Sequence, residues 1–155
     1  MNYNILDLGC GREKLNENTT GVDILNFGWN KVHDLNKSPY PFENNSFDVV
    51  RAWSLLEHLK HPYKALEEMK RISKKEIWIK VPNPYSMKEF AINLFKIQSR
   101  DYGYGWHKFT FTWQNMNELC KELGLKIVSI NHVELGRSKV FVLAQPNAKS
   151  KEMMK

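Results

Sequence analysis

Two glycines near the start of the chain, Gly9 and Gly11, directly follow a short apolar segment that carries Asp7. A strand that turns this sharply needs residues whose backbone takes φ > 0, which glycine does without steric cost. If a helix follows, its first N–H groups lack partners within the helix and can bind an anionic group. The pattern therefore indicates a turn that binds a nucleotide or a carboxylate, with a purely structural glycine turn as the alternative.

Two further acidic residues end the next two predicted strands: Asp23 ends 19–24, and Asp34 lies at the end of 31–35. The carboxyl ends of parallel strands meet at one edge of a sheet, which is where such sheets bind ligands. A carboxylate after the second strand can accept both hydroxyls of a ribose. Asp34 can accept a hydrogen bond from an adenine amino group. The three acids and the glycine turn together predict a nucleoside site at this edge.

The spacing of the glycines argues against a nicotinamide dinucleotide. In that pattern a third glycine packs the helix on the strand, and the acid follows about 20 residues later. Here Arg12-Glu13-Lys14 follow Gly11, and the segment from Gly11 to Asp23 leaves room for about two helical turns at most. We therefore expect a shortened first crossover.

Alternating apolar segments and amphipathic segments predict an α/β fold with a mostly parallel sheet. The predicted strands are 3–8, 19–24, 31–35, 46–53, 75–81, 125–135 and 138–145. The last two are close enough, around Gly136, to form an antiparallel pair. The predicted helices are 62–73, 86–95 and 112–124, the first with Pro62 at its start and the last with Gly124 at its end.

The segments "ILDLGCG", "GVDI", "HDLNKSPYPFENNSFDVV" and "SLLEHL" resemble the Rossmann-like S-adenosylmethionine-dependent methyltransferases, in particular the small type 11 relatives. The resemblance covers residues 3 to 82 well and the last two strands loosely. It implies a Rossmann-like methyltransferase sheet, mostly parallel with an antiparallel last strand and with helices on both faces. We expect one domain over 1–147 and a basic C-terminal tail over 148–155.

The resemblance also implies S-adenosylmethionine as the cofactor and assigns its contacts. They are Asp7, Gly9, Cys10 and Gly11 at the methionine end, Asp23 at the ribose, Ile24, Asp34 and Leu35 at the adenine, and Ala52, Trp53 and Ser54 beneath the sulfonium.

The segment "DYGYGWHKFTFTW", 101–113, interleaves six aromatic residues with two glycines. It falls where a methyltransferase of this kind places a substrate lid, and a glycine-hinged aromatic loop can close over a flat or cationic substrate. An aromatic hairpin that packs on the core or on a partner subunit is the alternative. His107 and Tyr104 are the candidate catalytic bases in this segment.

Glu57 is predicted to close a capping box, because Ser54 stands three residues before it. Its neighbours His58 and His61 form a poor metal-binding pattern, so we expect no metal site. Cys10 and Cys120 are far apart and outside any Cys-x-x-Cys pair, which favours reduced cysteines that serve packing.

The composition does not identify the molecule that accepts the methyl group. The net charge is +6 and the pI is about 9.3, which permits RNA as a partner without requiring it. We favour a small-molecule acceptor, with RNA as the enzymatic alternative and a non-catalytic cofactor-binding regulatory or scaffold subunit as another. The first residues lack a signal segment and no apolar run is long enough to span a membrane, so we expect a cytoplasmic protein with no membrane partner. A homodimer is compatible with so small a chain.

Overall fold

A computed structural model of the chain describes residues 3–83, 85–86, 109–134 and 138–145. Its seven strands are β1 Ile5–Leu8, β2 Thr19–Asp23, β3 Lys31–Val32, β4 Phe47–Trp53, β5 Ser73–Pro82, β6 Lys126–Val133 and β7 Ser138–Ala144. The helices of this part of the chain are α1 Pro62–Ile72, α2 Trp113–Glu122 and a short 3-10 helix Leu56–His58. The predicted helix 86–95 lies outside the described residues except for Ser86, and so do the turn at Gly136 and the tail over 148–155.

The seven strands form one sheet in the order β3-β2-β1-β4-β5-β7-β6. Neighbouring strands from β3 to β5 are parallel, while β7 runs antiparallel to both β5 and β6. The predicted Rossmann-like sheet, mostly parallel with a reversed last strand, is confirmed. The strand order changes direction between β1 and β4, and ligands of such sheets bind outside the carboxyl ends of the strands at this point.

Both α-helices form where the apolar spacing predicts them. Pro62 stands at the first turn of α1, whose buried residues are Ala65, Leu66, Met69 and Ile72. The Thr112 side chain caps α2 by accepting from the Asn115 N–H at 3.3 Å. Trp113, the first residue of α2, is 43% exposed, whereas Met116 and Cys120 of the same helix are buried. No helix among the described residues has the length and apolarity needed to cross a membrane.

One face of the sheet carries the apolar core. Successive residues of a strand point to opposite faces, and Leu6 and Leu8 of β1 share a cluster with residues of both helices. The central strands, β7 and the helices supply its fully buried members, among them Val50, Ile77, Ile79, Phe141, Leu143, Leu66, Met69 and Met116. Both described α-helices therefore cover the same face.

The opposite face is bordered by loops between β1 and β3. Residues 9–18 and 24–30 contain turns and bends and no helix. The shortened first crossover is confirmed, and the expectation that the glycine turn opens a helix is wrong. Trp29 from the second loop lies over Gly21 on this face, and its indole N–H donates to the Arg12 carbonyl at 2.9 Å.

Position 21 has room only for glycine. A Cβ placed on Gly21 would lie 2.4 and 2.5 Å from two Trp29 ring atoms and 2.7 Å from the Cys10 sulfur. All three distances are well below van der Waals contact. A side chain at position 21 would therefore displace the Trp29 ring, which packs over β2 between the loops 9–18 and 24–30.

We therefore expect Gly21→Ala to lower the free energy of unfolding by about 1–3 kcal/mol, the usual cost of overpacking. Urea denaturation measures this change. Thr20→Val, at the exposed neighbouring position of β2, is the matched control and should stay within about 0.5 kcal/mol of the wild type. Equal stability of Gly21→Ala and the wild type would contradict the tight contact with Trp29.

Candidate functional site

The glycine turn is fixed to the end of β2 by its own amides. Gly9 and Gly11 have φ of +68° and +62°, the left-handed conformation that the sequence predicts. The N–H groups of Gly9 and Cys10 both donate to the Val22 carbonyl, at 2.8 and 3.1 Å. The Gly11 N–H donates to Asp23 Oδ2 at 3.1 Å.

These bonds correct the expectation of an amide cradle for an anion. All three turn amides already have partners, and the loop after them is not a helix. The amides of Gly9, Cys10 and Gly11 therefore shape the edge of the sheet and do not offer unpaired donors. A ligand at this edge must be held by other groups.

Asp23 retains capacity to bind such a ligand. Its Oδ2 accepts from Gly11, and its Oδ1 accepts from the Leu25 N–H at 3.1 Å. A carboxylate oxygen has two lone pairs, so each Asp23 oxygen can accept one more hydrogen bond. The next residue, Ile24, is 58% exposed and places an apolar surface beside the carboxylate. Two hydrogen-bond acceptors suit the two hydroxyl groups of a ribose, and the adjacent apolar surface suits an adenine attached to it.

Asp34 lies elsewhere than predicted. Strand β3 ends at Val32, so Asp34 sits in the following turn and not at a strand end. Its Oδ1 accepts from the backbone and side-chain amides of Asn36 at 3.0 and 3.1 Å, and these bonds lower the pKa of Asp34. Leu35 is buried in the apolar cluster, and the Tyr40 hydroxyl donates to its carbonyl at 2.8 Å. This loop is thus anchored to the core next to β3.

Asp7 is bonded to a partner that the sequence did not reveal. The strand register aligns Asp7 with Arg51 of β4. Arg51 Nε and Nη2 donate to the two carboxylate oxygens of Asp7 at 2.8 and 2.5 Å, and Asp7 is only 1% exposed. This is a buried, bidentate ion pair. A charged residue within the apolar strand "FDVVRAW" was the available signal, but its partner depends on the register.

The residues expected beneath the sulfonium have three different environments. Ala52 is fully buried, whereas Trp53 at the end of β4 is 40% exposed. The Arg51 guanidinium lies 4.1 Å and the Lys80 ammonium 5.2 Å from the Trp53 ring centroid. Ser54 follows with φ of +50°, and its N–H donates to the Lys80 carbonyl at 2.8 Å. Left-handed non-glycine residues are uncommon and cluster at functional sites.

Glu57 is buried without a partner. It lies in the 3-10 helix Leu56–His58, whose N-cap is Leu55 with no side-chain capping bond, so the predicted capping box with Ser54 is wrong. Glu57 is 1% exposed, and no other residue of the described chain donates a hydrogen bond to either carboxyl oxygen. Burial raises the pKa of Glu57 to about 7, against smaller lowering effects from its own backbone N–H and from the charge of Lys80.

The cysteines and histidines of the described chain form no metal site. No group of three or more His, Cys, Asp or Glu side chains in those ranges could hold a metal ion. Burial raises the pKa of Cys10 to about 12 and that of Cys120 to about 11, so both thiols stay protonated at neutral pH. Both cysteines are free, in agreement with a packing role.

The candidate catalytic bases His107 and Tyr104 lie outside the described residues. Of the aromatic segment 101–113, the structure describes 109–113, in which Phe111 is buried in the apolar cluster and Phe109 is largely exposed. A cavity of about 620 Å³ lies away from the carboxyl edge, beside the amino ends of β1 and β2. Its lining includes Tyr3, Leu15 and Trp78.

Comparison with known proteins identifies the class. A family model described as a methyltransferase domain matches residues 2–130. The chain therefore belongs to the methyltransferase-domain family, and it is an S-adenosylmethionine-dependent methyltransferase. A search among curated proteins finds no significant match.

Solved structures share the fold at low sequence identity. A methyltransferase from Thermotoga maritima, described as a possible histamine N-methyltransferase, aligns with a TM-score of 0.69 at 16% identity, over 94% of this chain and 83% of the other. Magnesium protoporphyrin IX methyltransferase from Synechocystis, solved with bound SAH, aligns with a TM-score of 0.66 at 11% identity, over 92% and 74%. A putative methyltransferase from Haloferax volcanii, solved in complex with the Trm112 methyltransferase activator, aligns with a TM-score of 0.67 at 14% identity, over 92% and 82%.

The donor set at the carboxyl edge fits this cofactor. Asp23 offers two acceptors for the ribose hydroxyls, and Ile24 offers an exposed apolar surface beside them. The site lies at the β1–β4 switch point of the sheet.

The buried carboxyl predicts a pH-dependent stability. Because the folded state raises the pKa of Glu57 from 4.5 to about 7, it binds the proton more tightly than the unfolded chain does. The stabilising contribution is complete below about pH 4.5 and is lost as the pH rises through 7, by roughly 3 kcal/mol in total. Glu57→Gln should remove this loss, measured as the free energy of unfolding in urea from pH 4.5 to 8.

The control for this experiment is Glu67→Gln, the same change at an exposed position of α1. It should keep the pH dependence of the wild type. Parallel pH profiles for the wild type and Glu57→Gln would contradict the buried, unpartnered carboxyl.

Proposed function

We propose that this chain transfers a methyl group from S-adenosylmethionine to a small-molecule acceptor at the carboxyl edge of β1, β2 and β4. The observation that carries the proposal is Asp23, which keeps two acceptor positions directed to this edge while it holds the glycine turn. The apolar side chain of Ile24 and the half-exposed ring of Trp53 border the same edge. Membership of the methyltransferase-domain family supports the reaction type.

Methyl transfer makes limited demands on the protein. When bound, S-adenosylmethionine supplies a methyl group with an excellent leaving group, so alignment of the acceptor and exclusion of water are the main tasks. In this proposal Asp23 orients the ribose and Ile24 covers the adenine, with Asp34 and Leu35 at its border. Ala52, Trp53 and Ser54 form the wall at the end of β4 against which the two reactants align.

A base is needed only when the acceptor atom begins with a proton that must leave. His107 and Tyr104 are our proposed bases, on the strength of their place in the aromatic segment 101–113. His107→Ala should lower the rate of methyl transfer more than the affinity for cofactor. An unchanged rate would remove His107 from the mechanism.

Two alternatives have separate support. RNA as acceptor is supported by the net charge of +6 and by the aromatic segment, since bases stack on aromatic rings. A non-catalytic cofactor-binding subunit is supported by the turn amides, which are all bonded within the chain. A cytoplasmic location and a homodimer belong to the proposal as well.

Incubation of the purified chain with donor labelled in the methyl group and a cell extract tests these functions together. We expect label in the small-molecule fraction. Label in the RNA fraction would establish the enzymatic alternative, and binding of the donor without any labelled product would favour the non-catalytic one. The Asp23→Ala variant serves as the control for background labelling.

Asp23→Ala should weaken binding of S-adenosylhomocysteine about 100-fold, because hydrogen bonds from two hydroxyls to a charged acceptor are worth about 1.5–3 kcal/mol each. Isothermal titration calorimetry measures the affinity. Glu17→Ala is the control, since the Glu17 side chain is 98% exposed in the neighbouring loop. Unchanged affinity of Asp23→Ala would contradict the assigned ribose contact.

A further inference from the structure

One edge of the Arg51 guanidinium has no partner in the described chain. A guanidinium has two edges that can each bind a carboxylate, one formed by Nε and Nη2 and the other by Nη1 and Nη2. Asp7 occupies the first edge, at 2.8 and 2.5 Å. Nη1 donates to no residue of the described chain, and it is not one of the fully buried polar atoms that lack a partner there. The second edge of Arg51 is therefore accessible to an anion.

The guanidinium lies towards the carboxyl edge of the sheet. It is 4.1 Å from the ring centroid of Trp53, which ends β4 and is 40% exposed. Burial is the largest cause of the raised pKa of Cys10 in the glycine turn. The charges of Asp23, Asp7 and Arg51 act on the same thiol, so Arg51 lies within electrostatic range of the turn.

A cofactor whose ribose is bound at Asp23 can extend to Arg51. The strand order places β1 between β2, which ends at Asp23, and β4, which carries Arg51. Neighbouring strands of a sheet are separated by about 4.8 Å, so β2 and β4 lie about 10 Å apart. In S-adenosylmethionine, the chain from the ribose through the sulfur to the amino-acid carboxylate has a comparable length. The amino-acid end can therefore lie over β1 and β4.

That end carries a carboxylate, which needs hydrogen-bond donors. The three amides of the glycine turn already donate to Val22 and Asp23. The Lys80 ammonium at the end of β5 is paired with Glu134 at 2.6 Å. Arg51, by contrast, has a complete donor edge to offer, and Asp7 fixes its orientation.

Arg12 is the competing cation, because it directly follows the glycine turn. Its side chain is exposed, and no bond to the described chain fixes its position. A donor that is already held in place loses less conformational entropy when a ligand binds. This difference favours Arg51 over Arg12.

Resting on the function proposed above, we propose that the open edge of Arg51 binds the carboxylate of the methionine end of S-adenosylmethionine. Asp7 holds the guanidinium by its other edge, and the Trp53 ring supports its face. The Asp7–Arg51 pair has no net charge, which suits an amino-acid end that carries one carboxylate and one ammonium group. Each Asp7 oxygen keeps one lone pair, so the expected contact of Asp7 with the ammonium group is compatible with the ion pair.

Three probes separate the carboxylate contact from the rest of the site. S-adenosylhomocysteine carries both the carboxylate and the ammonium group, its decarboxylated form keeps only the ammonium group, and 5′-methylthioadenosine lacks both. Calorimetry should show that the wild type binds S-adenosylhomocysteine about 10- to 100-fold more tightly than the decarboxylated form, the value of a bidentate, charged hydrogen bond. Equal affinities of the wild type for these two probes would overturn the inference without any variant.

Arg51→Lys tests the residue. A lysine ammonium can still pair with Asp7, but it has no second planar edge for a carboxylate. The variant should lose about 10-fold or more in affinity for S-adenosylhomocysteine and stay within about threefold of the wild type for the other two probes. A purely structural role of Arg51 would instead lower all three affinities together, and that result would overturn the inference.

Arg12→Lys makes the same change in the neighbouring loop and should bind all three probes as the wild type does. A selective loss for S-adenosylhomocysteine in Arg12→Lys, with unchanged binding in Arg51→Lys, would assign the carboxylate to Arg12 and overturn the inference.

A double variant, Asp7→Val with Arg51→Met, covers the case in which Arg51→Lys does not fold. Replacement of both members of a buried ion pair by apolar residues is often neutral for stability. This variant should bind S-adenosylhomocysteine no more tightly than 5′-methylthioadenosine, and a retained preference for S-adenosylhomocysteine would contradict the inference. Failure of the wild type to bind any of the three probes would overturn the proposed function, and the inference with it.

Discussion

The bonds between the glycine turn and the end of β2 are the constraint on which the rest of the edge depends. In a longer crossover a helix would hold such a turn, but residues 9–18 contain none. The Val22 carbonyl and the Asp23 carboxylate take over this task by accepting from three successive turn amides. Asp23 thereby has two roles, because the carboxylate that fixes the turn is also the one available to a ribose. The geometry of the turn and the affinity for a nucleoside are coupled through one side chain.

A buried ion pair lies on the face of β1 and β4 that is opposite the apolar core. Asp7 and Arg51 neutralise each other, and the guanidinium then lies over Trp53. Loss of one partner would leave an uncompensated buried charge, which is strongly destabilising. The pair also fixes the register of β1 against β4, because a slip of one residue would send the two side chains to opposite faces. Asp7 thus acts within the sheet, as the partner of Arg51.

Features that follow from local pattern were predictable from the sequence, and features that follow from register or space were not. Apolar alternation located all seven strands, and Gly9 and Gly11 indicated the left-handed turn correctly. The Asp7–Arg51 pair joins residues 44 apart in the chain, so only the register reveals it. Gly21 has an ordinary strand conformation, and its importance comes from the Trp29 ring above it. The capping box at Glu57 failed because Leu55, and not Ser54, takes the N-cap position once Ser54 adopts a left-handed conformation.

The proposed function requires that the carboxyl edge of β1, β2 and β4 binds the methyl donor. Hydrogen–deuterium exchange of the chain with and without saturating S-adenosylhomocysteine tests it most directly, because each region reports its own protection. We expect slower exchange in the peptides that contain residues 9–11, 23–25 and 54–57. Protection confined to the peptides around Tyr3, Leu15 and Trp78, at the cavity beside the amino ends of β1 and β2, would contradict it.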